Sequence, residues 1–127
     1  MYKFLISLLI FITTRVTAHQ FTPTYPEFEL SFVEGVMQTK MELFNKRSEI
    51  EYYELGVFDK DWASVTFATS DTKIIRIDYL ETKNIDIYVK NQDVKKVVYI
   101  CTESRILKDS MAKNSLVSSK ICSKVRQ

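Results

Sequence analysis

IDIYVKNQDVKKVVYIC, residues 85–101, holds two apolar runs divided by a polar cluster, and in the first run the period is two. Ile85, Ile87 and Val89 point one way along an extended chain while Asp86, Tyr88 and Lys90 point the other. Slipping this register by one residue would bury Asp86 and Lys90, so the inward face is firmly specified. In the second run Val97, Tyr99 and Cys101 alternate with Val98, Ile100 and Thr102. Both sets are largely apolar, the pattern of a central strand covered on both faces.

The same period extends outward from this stretch. In VMQTKMELFN (36–45), Met37, Thr39, Met41 and Leu43 alternate with Gln38, Lys40, Glu42 and Phe44; in IEYYELGVFD (50–59), Tyr53, Leu55 and Val57 share one side. SVTFAT (64–69) and KIIRIDYL (73–80) follow as further strands. The polar clusters KRSE, DKDW, TSDT, LETKN and KNQD separate them at the spacing of a β-sandwich or barrel. No stretch after residue 20 shows a long amphipathic helical pattern. The chain has 127 residues, 46% of them hydrophobic, with only two glycines and two prolines, which fits one packed domain and not a linker. The expected fold class is therefore all-β, an immunoglobulin-like antiparallel β-sandwich of about seven strands. Tyr99 stands two residues before Cys101, the spacing of the tyrosine corner in such sandwiches.

The segment SLVSSKICSKVRQ (115–127) reads as the last strand. Val117, Ser119, Ile121, Ser123 and Val125 fall on one face, and Leu116, Ser118, Lys120, Cys122, Lys124 and Arg126 on the other. Its natural neighbour is the strand that ends at Cys101; the alternative is an irregular basic tail whose cysteine pairs elsewhere. An exposed terminal strand offers main-chain hydrogen bonds and shallow apolar contacts to a partner. Lys120, Lys124 and Arg126 then either guard the edge until that partner arrives or serve as ordinary gatekeepers against aggregation.

MYKFLISLLIFITTRVTAHQ, residues 1–20, has the layout of a secretory signal: Lys3, an apolar block from Phe4 to Thr13, and small residues ending at Ala18. The block is too short to span a bilayer comfortably. The chain accordingly divides into a signal peptide, 1–18, and one domain, 19–127, with a periplasmic or secreted location and no membrane attachment after cleavage. Removing Lys3 and Arg15 leaves as many basic as acidic residues. The charge is uneven, because residues 105–127 carry six basic side chains against Asp109 alone. Export argues against nucleic acid as the partner of that basic tail. In an oxidising compartment Cys101 and Cys122, the only cysteines, are expected to form a disulfide.

Metal binding and catalysis find little support in the residues. Two cysteines and the single His19 lack metal-ligand spacing, and no CxxC pair is present. Glu49 and Glu51 share a strand face turned to solvent, and Asp59, Asp61 and Asp71 lie in turns where Asp bonds the local backbone. Gly35 and Gly56 are too few for a G-x-S-x-G elbow or a phosphate loop. Trp62 and the seven tyrosines fit core and rim packing better than a carbohydrate surface. The expectation is a non-enzymatic protein with no metal and no cofactor.

The runs EFELSFVEG, MQTKMELFNK, IEYYELGVFDKDW, KIIRIDYLETKNIDIYVK and VVYICTES in an exported domain resemble the N-terminal immunoglobulin-like domain of periplasmic pilus chaperones, the PapD-like family. The resemblance covers residues 21–125 and rests on strand order and spacing. It implies a chaperone for pilus or appendage assembly, whose last strand completes the unfinished fold of a protein subunit. On this chain the strand-donating positions are Val117, Ser119, Ile121, Ser123 and Val125. One subgroup of the family joins its last two strands by a disulfide, which Cys101 and Cys122 match. The family anchors a subunit carboxylate with an arginine of the first strand and a later lysine; TPTYPEFELSF contains no arginine, and Lys108 and Lys113 are the candidate lysines. The family's Pro-Gly turn is replaced by Glu81, Thr82, Lys83 and Asn84, and its second domain has no counterpart before Gln127. The alternative function is a structural or adhesive component of an extracellular appendage or virion.

Overall fold

Two long strands of alternating pattern set the frame. In the structure, a computed structural model describing residues 18–106 and 118–127, the strands Val36–Phe44 and Thr82–Lys90 pair antiparallel over nine residues, from Val36 opposite Lys90 to Phe44 opposite Thr82. In chain order the described strands are β1 (Gln20–Thr22), β2 (Glu29–Leu30), β3 (Val36–Phe44), β4 (Tyr52–Phe58), β5 (Ala68–Thr69), β6 (Ile74–Arg76), β7 (Thr82–Lys90), β8 (Tyr99–Arg105) and β9 (Lys120–Lys124), with a 3-10 turn at Asn91–Lys96. One sheet runs β1-β3-β7-β5 with β2 also on β3, and the other runs β6-β4-β8-β9. All pairings are antiparallel. This is the all-β, immunoglobulin-like sandwich expected. Its strand count exceeds seven because β2 and β5 are two-residue pairings on sheet margins.

The core lies between the sheets. Met41 and Leu43 of β3 and Ile85, Ile87 and Val89 of β7 meet Tyr53, Leu55 and Val57 of β4 and Ile100 of β8, all buried. Each fully buried aliphatic side chain contributes about 1.5–3 kcal/mol by removal from water, which fixes which face of every strand turns inward.

Two local expectations are corrected. Residues 94–96 do not begin a strand: the 3-10 turn occupies them, with Val97 N–H donating to Val94 O at 3.1 Å and Asn91 N–H to Gly35 O at 2.8 Å. In a strand, Lys95 or Lys96 would face the interior, whereas the turn leaves both exposed and tucks Val94 against the core. Nor does Tyr99 form a tyrosine corner. It lies on the outer face of its sheet, since Ile100 and Thr102 take the inward positions, and its ring stacks on Trp62 at 4.1 Å between centroids. The buried tyrosine is Tyr53, whose hydroxyl donates to Asn45 Oδ1 at 2.7 Å.

The first strand serves both sheets. β1 pairs with the end of β3, Phe21 opposite Leu43, and is followed by a cis Thr22–Pro23 bond. The chain then passes to the other sheet and runs beside the end of β9: Lys124 N–H donates to Thr24 O at 2.9 Å and Arg126 N–H to Pro26 O at 2.8 Å. Residues 1–17 and 107–117 lie outside the described residues, and with them most of the expected signal segment, Val117, Lys108 and Lys113.

Candidate functional site

β9 is the edge of its sheet and the longest edge strand among the described residues, five residues against three in β1, two in β5 and three in β6. It pairs with β8 from Tyr99 opposite Lys124 to Glu103 opposite Lys120. In an antiparallel ladder the backbone groups of alternate residues point toward and away from the neighbour. Val125 N–H donates to Val98 O at 2.8 Å and Ser104 N–H to Ser119 O at 2.9 Å, so the odd-numbered residues bond to β8. The backbone groups of Lys120, Cys122 and Lys124 face outward. The 24–26 crossover takes the Lys124 N–H, leaving Lys120 and Cys122 as the open stretch of the edge.

Cys101 and Cys122 face each other across β8 and β9 and are joined by a disulfide with S–S 2.07 Å, on the outer face of the sheet. The inward face of β9 belongs to the residues singled out from the sequence. Ser123 and Val125 are buried, Ile121 packs against the core, and Ser119 is half-buried. Their side chains are thus turned into the sandwich and not toward the edge. The period of two was read correctly, but the apolar set is drawn to the core that the sandwich must fill. The Ser123 hydroxyl has no hydrogen-bond partner among the described residues.

The start of β9 is pinned by a buried polar cluster that the sequence did not reveal. His19, 2% exposed, reaches Thr102 Oγ1 with Nε2 at 2.7 Å and Ser119 Oγ with Nδ1 at 3.0 Å, and its ring lies 4.5 Å from that of Tyr53. Arg47 Nη1 donates to the same Ser119 oxygen at 3.4 Å, and Arg47 Nε pairs with Glu49 at 2.7 Å. In the neutral imidazole one of the two His19 ring nitrogens donates and the other accepts. Burial lowers the His19 pKa from 6.5 to about 4; a hydrogen bond to the Thr102 backbone opposes this and the Arg47 charge adds to it. Bonds from its own backbone and from Arg47 hold the Glu49 carboxyl below its ordinary value. Burial raises the Tyr53 hydroxyl to about 12. Asn45, fully buried, closes the cluster by donating to Ile50 O and Ile77 O at 2.7 and 3.1 Å.

On the outer face, Lys120 extends over two rings, with Nζ 5.0 Å from the centroid of Phe58 and 5.3 Å from that of Trp62. It has no salt bridge among the described residues, whereas nearby Arg105 is paired with both Glu54 and Glu103. Lys120 is therefore a cation on the open edge, one the sequence reading treated only as a gatekeeper.

No family model matches the sequence, and no curated protein does. Solved structures do match in shape. The chaperone DraB of E. coli superposes with a TM-score of 0.62 at 17% identity, over 87% of this chain and 54% of DraB. A Salmonella enterica structure of the SafA pilin in complex with the SafB chaperone matches with a TM-score of 0.62 at 12% identity, over 88% of this chain and 54% of the matched one. The chain thus spans about half the length of these proteins. What the likeness establishes is the fold: an immunoglobulin-like sandwich of the kind found in pilus chaperones.

Proposed function

We propose that residues 19–127 form an exported, non-enzymatic protein-binding domain that assists appendage assembly by accepting a partner's strand at the open stretch of β9. The observation that carries this reading is the edge itself. β9 is the longest edge strand among the described residues, it is clasped covalently to β8, and the backbone of Lys120 and Cys122 faces outward. Main-chain hydrogen bonds from such an edge supply affinity without a deep pocket. Ser119, Ile121, Ser123 and Val125 keep the strand seated from beneath while the even-numbered residues meet the partner. Lys120 supplies the cation for a partner carboxylate, the part for which Lys108 and Lys113 were the candidates. Support for a protein subunit as partner comes from SafB, seen in complex with a pilin. A periplasmic location agrees with the signal-like N-terminus and the disulfide.

The test uses two substitutions at one residue. Lys120→Ala removes the charge and keeps the outward N–H; Lys120→Pro removes both, and proline is tolerated at an outward-facing edge position. The exported protein is isolated with its bound partner, and amide exchange at β9 is compared before and after release. The expected result is slowed exchange at Cys122 in the complex, partial loss of partner with Lys120→Ala and full loss with Lys120→Pro. Equal retention by both variants would rule out strand addition here.

A further inference from the structure

The hairpin tip between β2 and β3 carries three apolar side chains that the domain leaves uncovered. Leu30 is 84% exposed, Phe32 fully exposed and Val33 60% exposed, all within four consecutive residues. Scattered apolar residues on a surface are ordinary; a contiguous set on a projecting turn marks a contact surface.

The backbone holds this tip in one shape. Val33 N–H donates to Ser31 Oγ at 3.1 Å, that hydroxyl lies 2.6 Å from Val36 O, and Ser31 N–H donates to the same carbonyl at 3.3 Å. Gly35, at φ 77°, turns the chain back, and its carbonyl accepts the Asn91 N–H at 2.8 Å. That bond ties the tip to the 3-10 turn at Asn91–Lys96, which links the end of β7 to the start of β8. Tip and turn therefore share one end of the sandwich. A turn fixed in advance, with Phe32 wholly in solvent, lowers the ordering cost of a contact made outside the domain.

Charge points to the occupant. Residues 27–34 hold three glutamates and no basic residue, so a surface meeting them needs cations. Glu29 and Glu34 beside the apolar set have no salt bridge among the described residues, and neither have the exposed Lys90 and Lys95 at the 3-10 turn. A two-fold contact requires a surface that carries its own complement, because each patch meets a copy of itself. One end of this domain carries all three parts: an apolar centre, unpaired acids and unpaired bases. We infer that two copies of this chain associate tip to tip about a two-fold axis. Leu30, Phe32 and Val33 of each pack on their counterparts, while Glu29 and Glu34 of each face Lys90 and Lys95 of the other. The contact is independent of strand addition and leaves the open stretch of β9 free, since Lys120 and Cys122 lie toward the other end of that strand, opposite Glu103 and Cys101. An interface centred on three apolar residues falls below the area of permanent dimers, so the association is reversible, with a Kd on the order of micromolar or weaker.

The test is sedimentation equilibrium of the exported chain from about 5 to 500 µM, a range that brackets such a Kd. Three variants accompany it: Phe32→Ser, the tip reversal Glu29→Lys with Glu34→Lys, and the turn reversal Lys90→Glu with Lys95→Glu. All five positions are exposed, so each variant should fold, and urea unfolding checks this first. The unsubstituted chain is expected to pass from monomer to dimer, and Phe32→Ser to weaken the dimer at least roughly tenfold. Each charge-reversed variant alone should stay monomeric, because like charges meet across the axis; mixed one to one, the two should dimerise again. Mixing alters nothing within either copy, so the recovery reports only the contact between copies. A chain monomeric at the highest concentration overturns the pairing and gives the tip to a different partner. A dimer indifferent to Phe32→Ser, or a mixture that stays monomeric, overturns it as well. Species that keep growing beyond the dimer overturn the two-fold arrangement.

Discussion

Acidification should loosen the molecule at His19 before any carboxylate is lost. His19 is buried as the neutral imidazole, with its pKa lowered from 6.5 to about 4. The unfolded chain therefore takes up a proton that the folded chain refuses, and stability falls with pH in that window. The contribution is intact above pH 6.5 and lost progressively on the way down to about pH 4. With those two values the linkage relation gives a loss of about 2 kcal/mol at pH 5 and about 3 kcal/mol at pH 4. Protonation also makes both ring nitrogens donors, where the neutral ring needs one of them to accept, and sets a second cation beside Arg47. Glu49, held below its ordinary value, adds a loss in the same direction at lower pH, through its depressed pKa. Urea unfolding of the unsubstituted protein and of His19→Gln, measured from pH 7.5 to 4, isolates the histidine. The variant is less stable at neutral pH because it loses a fitted ring, but its curve should be flatter, the two converging by about 2 kcal/mol between pH 7 and 5. Parallel curves across that interval would show that His19 is not buried in its neutral form, and the account of the cluster would fail.

Three further outcomes follow from the same geometry. Replacing Cys101 and Cys122 together by Ser should cost about 3 kcal/mol in urea unfolding, the chain-entropy value for a loop of this length, with β9 amides exchanging first. Asn45→Ala should cost about 3 kcal/mol or more, since Asn45 alone satisfies two buried carbonyls and the Tyr53 hydroxyl; Tyr53→Phe should cost only about 1–2 kcal/mol, and thermal unfolding separates the two. Ser123→Ala should raise stability by about 1 kcal/mol, because it removes a buried hydroxyl without a partner; a loss on substitution would mean that the hydroxyl is satisfied in solution.

The fold was legible wherever one face of a strand had to be dry. Ile85, Ile87 and Val89, and Tyr53, Leu55 and Val57, announce their inward side by period alone, and all six are buried. The pairing of Cys101 with Cys122 was readable because only two cysteines exist to satisfy an oxidising compartment. What could not be read depends on contacts between residues far apart in sequence. His19 is separated from Thr102 by 83 residues and from Ser119 by 100, and no local pattern marks such a bridge. The inward turn of Ser119, Ile121, Ser123 and Val125 was ambiguous for another reason. Two alternating sets fix a strand's faces, but only the position of the opposite sheet decides which set is inside.

The residues that escaped the sequence reading account for where the edge stays open. An uncovered strand margin invites indiscriminate pairing, and proteins usually shorten or cover it. This sandwich does both: β1, β5 and β6 are three residues or fewer, and the 24–26 crossover occupies the far end of β9. The near end is pinned from inside by His19 and Arg47 on Ser119, and the middle is tied by the disulfide to β8. Between these fixed points the backbone of Lys120 and Cys122 faces outward on a strand tied at both ends, which lowers the ordering entropy that binding a partner costs on the domain's side. A strand held this firmly is a poor candidate for leaving its own sheet. If it acts on a partner, it acts as a template that receives a strand, and its selectivity comes from the outward side chains of the open stretch, Lys120 foremost.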